Sequence, residues 1–454
     1  MMRPLLLSEL APALGAKLHG ADAHFSEVST DTRQALQGKL FVALQGENFD
    51  GHDYVQAAAD SAAVAALVSR QLDIALPQLE VADTQQALGR LGAFNRSLYK
   101  NPLVAITGSS GKTTVKTLVH ALLSKRGAAL ATEGNLNNEI GLPLTLLQLA
   151  PEHDFAVVEM GAAKAGDIAW LCELAQPNVA VLLNAMPAHL QGFGSVAAVA
   201  EAKGEIYQGL GASDIAIINA DQPYARRWRS RASAATILDF AVHQPAAISA
   251  SNISSRGTAG ISFVASTPAG DVPVTLKLPG LHNVSNALAA IAVGLACKLT
   301  LSEIAAGLAS VKPVSGRLAV GRGLGGCTVI DDCYNANPGS VRAAIDVLAG
   351  SKGRRTLILG AMRELGDESA NLHREIGEYA RKCGIERFWG VGPELAPAVA
   401  AFGNGLLFKH RDEAIEALAG EFNEDDTVLV KGSRGAHMEH LLAVLSNQQM
   451  EAER

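Results

Sequence analysis

The chain has 454 residues, of which 48% are hydrophobic and 18% charged, a soluble globular composition long enough for about three domains. Its net charge of −7 and its lack of a long basic block exclude nucleic acid as the main partner, because phosphate-backbone binding needs clustered lysine and arginine. No apolar stretch reaches the ~20 residues of a membrane-spanning helix, so no integral membrane segment is expected. The five cysteines are scattered without a C-x-x-C pair, which suggests neither a disulfide frame nor a zinc site. With no charged-then-apolar leader at the N-terminus, these thiols suit a reducing cytoplasm.

Residues 1–98 read as a small α/β unit. Strand candidates Leu40–Leu44, Ala63–Val68 and Leu79–Val81 alternate with helical stretches such as Thr84–Leu98. Lys100-Asn101-Pro102 is a linker candidate, because proline biases the preceding residue away from helix. A second unit, 99–313, shows apolar strand candidates at 103–106, 128–131, 155–158, 179–183 and 215–218 with helix-length segments between them. That alternation predicts a parallel sheet covered on both faces, with ligands at the carboxyl ends of its strands. Residues 236–278 break the rhythm, and their short alternating runs suggest antiparallel strands. Helices are expected at about 284–297 and 301–310. After Lys312-Pro313-Val314-Ser315-Gly316 a third unit, 314–454, alternates again. Its strands are expected at 327–331, 356–359, 387–391 and 427–430, and its helices include Glu368–Lys382 and Ala436–Leu445. This reads as an open Rossmann-like sheet. The run Gly321-Arg322-Gly323-Leu324-Gly325-Gly326 holds a G-x-G, but the dinucleotide fingerprint is incomplete.

The most informative stretch is Thr107-Gly108-Ser109-Ser110-Gly111-Lys112-Thr113-Thr114. It follows an apolar strand and opens a helix, the context of a phosphate-binding loop. Glycines let backbone N–H groups close around phosphate oxygens, and the helix N-terminus adds partial positive charge. Lys112 can reach the β- and γ-phosphates, and the Thr113 hydroxyl can serve Mg²⁺. The usual first glycine would stand at 106, where this chain has Ile106, so the loop is a shorter variant.

Other candidates cluster at strand ends. Glu159 closes the apolar run 155–158 beside the loop, where a carboxylate can hold a metal or be a plain surface acid. His189 follows the next strand and would face the same site, although a lone histidine is more often structural. Lys203, in Ala-Glu-Ala-Lys-Gly-Glu, reads equally as one arm of a solvated helix face. Asn283 is a natural helix N-cap, whereas Asn286 one turn later suits the polar edge of adenine. Arg317 could reach phosphates across a cleft. In Asp331-Asp332-Cys333-Tyr334-Asn335-Ala336-Asn337-Pro338, a turn explains Asn337 and Pro338 but not the paired acids.

Together these residues closely resemble the Mur ligases, the ATP-dependent amide-forming enzymes of peptidoglycan precursor assembly. The short T-G-S-S-G-K-T-T loop is that family's form. So are Glu159-Met160-Gly161, the run Asn135-x-Asn137-Asn138 before Ile140-Gly141, His189, Lys203 in A-K-G-E, and His282-Asn283-x-x-Asn286. The resemblance spans the whole chain with the motifs in order. It implies ATP as cofactor and Mg²⁺ at two sites. It implies a nucleotide contact set of Gly108, Ser109, Ser110, Gly111, Lys112, Thr113, Thr114, Asn283, Asn286, Arg317 and Asp332. Thr113, Glu159, His189 and Lys203 are the implied metal residues, with Lys203 carbamylated. Lys112, Glu159, His189 and Lys203 are the implied catalytic set.

Within the family, Asp332 to Ser340, Leu359-Gly360-Ala361-Met362-Arg363-Glu364-Leu365-Gly366 and Lys431-Gly432-Ser433-Arg434 resemble the branch that adds D-alanyl-D-alanine to UDP-N-acetylmuramoyl-tripeptide. The D-N-P-R run typical of the preceding, tripeptide-forming ligase is missing, and Ala361 stands where an acid is commoner. Ser29-Thr30-Asp31-Thr32-Arg33 through Gly46, Phe49 and Asp50 resembles the uridine-nucleotide segment. Substrate contacts are then implied at Ser29, Thr30, Arg33, Gly46, Phe49, Asp50, Asn135, Asn137, Asn138, Tyr334, Asn335, Asn337, Arg363, Lys431, Ser433 and Arg434. The expected architecture is α/β in three domains: a small UDP-binding domain, a central P-loop domain with a parallel sheet, and a C-terminal Rossmann-like domain for the dipeptide. A cytoplasmic monomer is expected. The alternatives are another amide ligase of the family, tripeptide- or polyglutamate-forming, and a nucleotide-dependent switch that ligates nothing.

Overall fold

A computed structural model describes residues 2–447. Each of three sheets organises one part of the chain. The first has five strands in the order Lys17–His19, Gln78–Glu80, Ala65–Val68, Lys39–Val42, Glu27–Ser29, parallel except at the Lys17–His19 edge. The helix Thr84–Leu98 packs on it, started by Asp83, whose carboxylate accepts from the N–H groups of Gln85 and Gln86 at 2.8 and 2.9 Å. The far side of this helix faces the central unit. A Cβ at Gly92 would lie 3.0 Å from the Pro143 backbone, so glycine permits the close approach. Buried Arg96 then donates to the carbonyls of Ala175 and Gln176 at 2.7 and 2.9 Å, tying the two units together.

The central sheet has nine strands in the order Ala129–Ala131, Phe155–Glu159, Leu103–Thr107, Val179–Leu182, Ile215–Asn219, Thr236–Ala241, Ile248–Ser255, Ile261–Thr267, Gly270–Leu276. The first seven are parallel and the last two antiparallel. The chain leaves Leu103–Thr107 toward one edge and returns past it to Val179–Leu182. The strand order therefore reverses at Leu103–Thr107, and a crevice opens at its carboxyl end. Helices Lys112–Leu123 and His282–Ala296 cover one face around Val115, Leu118, Val119 and Leu288. Asp167–Ala175 and Val196–Gly204 cover the other around Leu171, Val199 and Trp228.

The antiparallel expectation for 236–278 holds only in part. Thr236–Ala241 runs parallel to Ile215–Asn219, and Ile248–Ser255 meets it in parallel through two residue pairs at the strand ends. Period-two alternation marks a half-buried strand but carries no direction.

The third sheet has six strands in the order Ala319–Arg322, Thr328–Asp332, Asp426–Lys431, Arg354–Gly360, Arg387–Val391, Leu406–Phe408, parallel except for the first pair. Its two edge strands escape the pattern of the sequence because they are short and largely solvent-facing. The glycine run 321–326 lies in the hairpin joining the antiparallel pair, and no helix opens on it. That geometry removes it as a dinucleotide loop. The last helix starts at Glu439 rather than 436, after a turn at Arg434–Ala436 and a left-handed His437 with φ of 49°. Among the described residues no helix is long and apolar enough to cross a membrane.

Candidate active site

The buried strand Leu103–Thr107 runs into Gly108, and the helix from Lys112 starts at once. Gly111 has φ of 86°, and a Cβ there would sit 2.6 Å from Asn286 Oδ1, so only glycine fits. No side chain caps this helix, so its first N–H groups stay free for an anion. The loop is braced from the neighbouring strand. Ser110 N–H donates to Asn184 Oδ1 and Asn184 Nδ2 donates back to Ser110 O, both at 3.0 Å. Asn184 had not been singled out from the sequence; its signal was a polar residue ending an apolar strand beside the loop. The Lys112 ammonium folds back onto the Gly108 carbonyl at 3.0 Å. Burial lowers its pKa, with Glu159 opposing the shift.

Glu159 ends the adjacent strand and is 3% exposed. Its carboxylate accepts from Thr113 Oγ1 at 3.1 Å and from Asn137 Nδ2 at 2.7 Å, and the Lys116 ammonium lies 3.7 Å away. Thr113 Oγ1 in turn accepts from Arg317 Nη2 at 3.1 Å. Asn337 Nδ2 donates to Ser110 Oγ at 3.0 Å. The third unit is thus seated on the phosphate loop. Asn337 also caps the helix Pro338–Ala349, with Ser340 N–H donating to its Oδ1 at 2.8 Å.

Lys203 contradicts the solvated-face alternative. It is 1% exposed and lines the cleft, and among the described residues its ammonium has no hydrogen-bond or ion-pair partner. Its acidic neighbours are engaged elsewhere: Glu201 with Arg227 and Arg231, Glu205 with the N–H groups of Gly166 and Ala169. Burial, with the Lys112 charge added, pulls the Lys203 amine down to about 7, against the opposing pull of Asp167. His189 lines the cleft with φ of 53°, and its Nδ1 is bonded to the Glu364 carboxylate across the junction.

The helix at 282 corrects the reading of Asn283. Leu281 occupies the N-cap, so Asn283 is already helical and its amide donates back to Pro279 O at 2.7 Å. Asn286 Nδ2 donates to Asn283 Oδ1 at 2.9 Å, and both asparagines line the cleft. Burial next to Lys431 drops the pKa of His282 to about 4, so its ring is neutral.

From the third unit, the Arg317 guanidinium lies 4.0 Å from the centre of the Tyr334 ring. Asp332 and Lys431 form a buried ion pair at 2.5 Å, and Lys431 also donates to Asn335 O at 2.9 Å. Burial raises the Asp332 carboxyl and Lys431 opposes it. Asp332→Ala leaves the Lys431 charge buried and unmatched, and should destabilise this unit by about 3–5 kcal/mol in urea unfolding. An unchanged midpoint would show that the pair is not a structural tie.

The remaining candidates divide. Ser109 to Thr114, Asn135, Asn137, Asn138, Tyr334, Asn335, Asn337, Lys431 and Arg434 line a shared cleft of about 970 Å³. Gly108 does not line it; its carbonyl accepts from the Lys112 ammonium at 3.0 Å. Arg363 and Ser433 do not line it. Ser433 Oγ accepts from Arg363 N–H at 2.9 Å and donates to Ala336 O at 3.2 Å, bracing the segment. Ser29, Thr30, Arg33, Gly46, Phe49 and Asp50 are also absent from the cleft, because they lie in the first unit. There Arg33 grips Asp31 at 2.8 Å and holds its carboxyl down to about 2. Gly46 and Phe49 pair in a small hairpin, and half-exposed Phe49 meets Tyr54 at 5.4 Å between ring centres. Asp50 receives His52 Nδ1 at 2.6 Å and Arg70 at 3.1 Å. One further grouping, His437, Glu439 and His440, brings ligand-type atoms within 4.8 Å of one another. The Arg434 guanidinium lies 3.8 Å from the Glu439 carboxylate of this group.

A phosphate loop, a carboxylate, a buried unpaired lysine and a facing domain thus converge on one cleft. Comparison with known proteins agrees with that arrangement. Three family descriptions match in order: Mur ligase family, catalytic domain, at residues 24–96; Mur ligase middle domain at 106–294; and Mur ligase, glutamate ligase domain, at 316–434. The UDP-N-acetylmuramoyl-tripeptide–D-alanyl-D-alanine ligase of Escherichia coli K12 is 46% identical over 449 residues, covering 98% of this chain and 99% of the relative. That of Haemophilus influenzae is 40% identical over 97% of this chain and 98% of the relative. The crystal structure of MurF from Acinetobacter baumannii superposes with a TM-score of 0.93 at 34% identity, covering 97% of this chain and 98% of that one. MurF ligase from Thermotoga maritima, solved in complex with ADP, gives 0.82 at 28% identity over 92% and 96% of the two chains. The motif resemblance therefore extends over the full length, and the chain belongs to the Mur ligase family.

Proposed function

We propose that the protein is an ATP-dependent ligase that joins D-alanyl-D-alanine to UDP-N-acetylmuramoyl-tripeptide, giving the pentapeptide, ADP and phosphate. The observation that carries this reading is near-full-length identity to ligases of that name, in a chain whose phosphate loop faces the third unit across one cleft. In this reading residues 1–98 hold the uridine nucleotide, 99–313 hold ATP, and 314–454 hold the dipeptide. The exposed Phe49 and Tyr54 rings offer an aromatic surface for a base. The enzyme works in the cytoplasm, as a monomer.

A carboxylate is a poor acyl donor because oxide is a poor leaving group. In the first step a carboxylate oxygen of the tripeptide attacks the γ-phosphorus, and the bond to ADP breaks. In the second the amine of D-Ala-D-Ala attacks the acyl carbon, phosphate leaves and the amine releases its proton. Lys112 and the uncapped first N–H groups of the helix Lys112–Leu123 balance the triphosphate charge. Asn283 and Asn286 suit the adenosine side of the nucleotide. Arg317 and Asn337, already against the loop, keep water from the acyl phosphate.

Thr113 and Glu159 offer the all-oxygen donors that suit Mg²⁺. When bound, the cation screens repulsion between the reacting carboxylate and the triphosphate. His189 and a carbamylated Lys203 would hold a second cation. The Lys203 amine supports this, since carbamylation needs a neutral nitrogen to attack the carbon of CO₂, forming a C–N bond and losing one proton. An amine near 7 is mostly neutral by pH 8, and an unpaired buried ammonium has little to hold its proton.

Phosphate release should require both UDP-N-acetylmuramoyl-tripeptide and D-Ala-D-Ala. Release driven by glutamate, or by neither substrate, would point to a polyglutamate-forming ligase or a switch. Arg434→Ala should raise the dipeptide KM roughly tenfold or more, because a guanidinium–carboxylate hydrogen bond contributes about 1.5–3 kcal/mol. Nucleotide affinity should stay put. The reverse pattern would remove Arg434 from the dipeptide site.

A further inference from the structure

Lys116 is one of the few buried lysines among the described residues, and the proposed chemistry makes no use of it. It lies one helical turn after Lys112, 6% exposed, and does not line the cleft. Its ammonium stands behind Glu159 at 3.7 Å and donates to the Gly134 carbonyl at 3.1 Å. Gly134 belongs to the loop 133–138, with φ of 50°. The second half of that loop is tied to the same carboxylate by Asn137 Nδ2 at 2.7 Å and to Gly161 N–H through Asn137 O at 2.7 Å. The first half is tied to the nucleotide-binding helix through Lys116. Glu159 and Lys116 therefore link the phosphate loop on one side to Asn135, Asn137 and Asn138 on the other.

We propose that Lys116 is a positioning residue that couples occupancy of the nucleotide and metal site to the order of the 133–138 loop, and so to binding of the tripeptide substrate. The substrate half rests on the functional reading given above; the loop-ordering half rests on the nucleotide site alone. The physical reason is competition for one ammonium. With Glu159 uncompensated, Lys116 shares its charge between the carboxylate and the Gly134 carbonyl. Thr113 and Glu159 would hold the cation, which would satisfy the carboxylate. The ammonium then turns to its remaining acceptor, and the loop tightens. Filling the nucleotide site thereby prepares the loop for the acyl substrate, a coupling that works equally in reverse.

Hydrogen exchange of the full-length protein tests this, with Mg²⁺ and a non-hydrolysable ATP analogue as probe. In the native protein the analogue should slow exchange of amides 134–138 by at least about fivefold, the lower end of ordinary coupling. In Lys116→Met, which keeps the stem and removes the charge, that slowing should vanish while amides 108–113 stay protected by the nucleotide. Lys116→Gln, less demanding on the fold, should keep a fraction of it. In parallel, nucleotide should strengthen tripeptide binding in the native protein and not in Lys116→Met. Equal slowing in native and variant protein, or none in the native protein, would overturn the proposal. Failure of the native protein to bind the tripeptide at all would instead sink the functional reading, and the exchange data would still judge Lys116.

Discussion

Lys203→Ala is expected to lower turnover by at least about 10²–10³-fold, the usual cost of one group that stabilises charge in a transition state. The loss should come from a missing anion and not from a missing cation. Three observations motivate this: the side chain is buried, it lines the cleft, and among the described residues its ammonium has no hydrogen-bond or ion-pair partner. A charged lysine there adds to the repulsion of Lys112, which the lowered pKa already registers. Carbamylation reverses the sign of the charge. Lys203→Glu should retain a trace of activity, since it keeps an anion on a shorter arm. A short-chain carboxylic acid added to Lys203→Ala should restore part of the rate. The native protein, stripped of CO₂, should regain activity on adding bicarbonate, more completely above pH 7 than below it, because only the neutral amine reacts. Rescue by a small amine in place of an acid would reverse the assignment and make Lys203 a cationic group.

Lys112→Ala should cost a similar factor of about 10²–10³ in kcat, for a different reason. The ammonium of this first helical residue sits on the Gly108 carbonyl, at the uncapped helix N-terminus. The neighbouring cations are committed elsewhere, Arg317 to Thr113 and Tyr334 and Lys116 to Glu159 and Gly134. The fold should survive, because the strand and helix flanking the loop have their own cores. The check is steady-state phosphate release alongside thermal unfolding. Turnover above half the native rate would remove the loop from the chemistry.

What could be read from the sequence follows the range of the interactions involved. The phosphate loop is local: strand, glycines, lysine and helix lie between Leu103 and Leu123, and each carries its own signal. Glu159 was legible because it ends an apolar run in the strand that pairs with Leu103–Thr107. Lys203 was ambiguous, because helical spacing of Glu and Lys describes a solvated face as well as a buried amine. Only the packing of Val196–Gly204 against the sheet separates the two. Asn283 was misread for a related reason: an N-cap residue type does not fix where the helix begins, and the chain turns two residues earlier, at Leu281. Lys116 carried no mark at all, as one lysine in a helix of mixed residues. Its meaning depends on Gly134 and Glu159, which only the fold brings to it. The contacts of Arg317 and Asn337 with the loop span more than two hundred residues, and no local pattern reports such pairs.

The central claim is that the cleft between the second and third units makes one amide bond at the expense of ATP. Mass spectrometry of the nucleotide-linked product tests it most directly. With ATP, Mg²⁺, UDP-N-acetylmuramoyl-tripeptide and D-Ala-D-Ala present, the account predicts a product heavier than the tripeptide by one D-Ala-D-Ala less one water, formed in equal amount with phosphate. Phosphate released without that product, or a product carrying any other amine in preference, would contradict it.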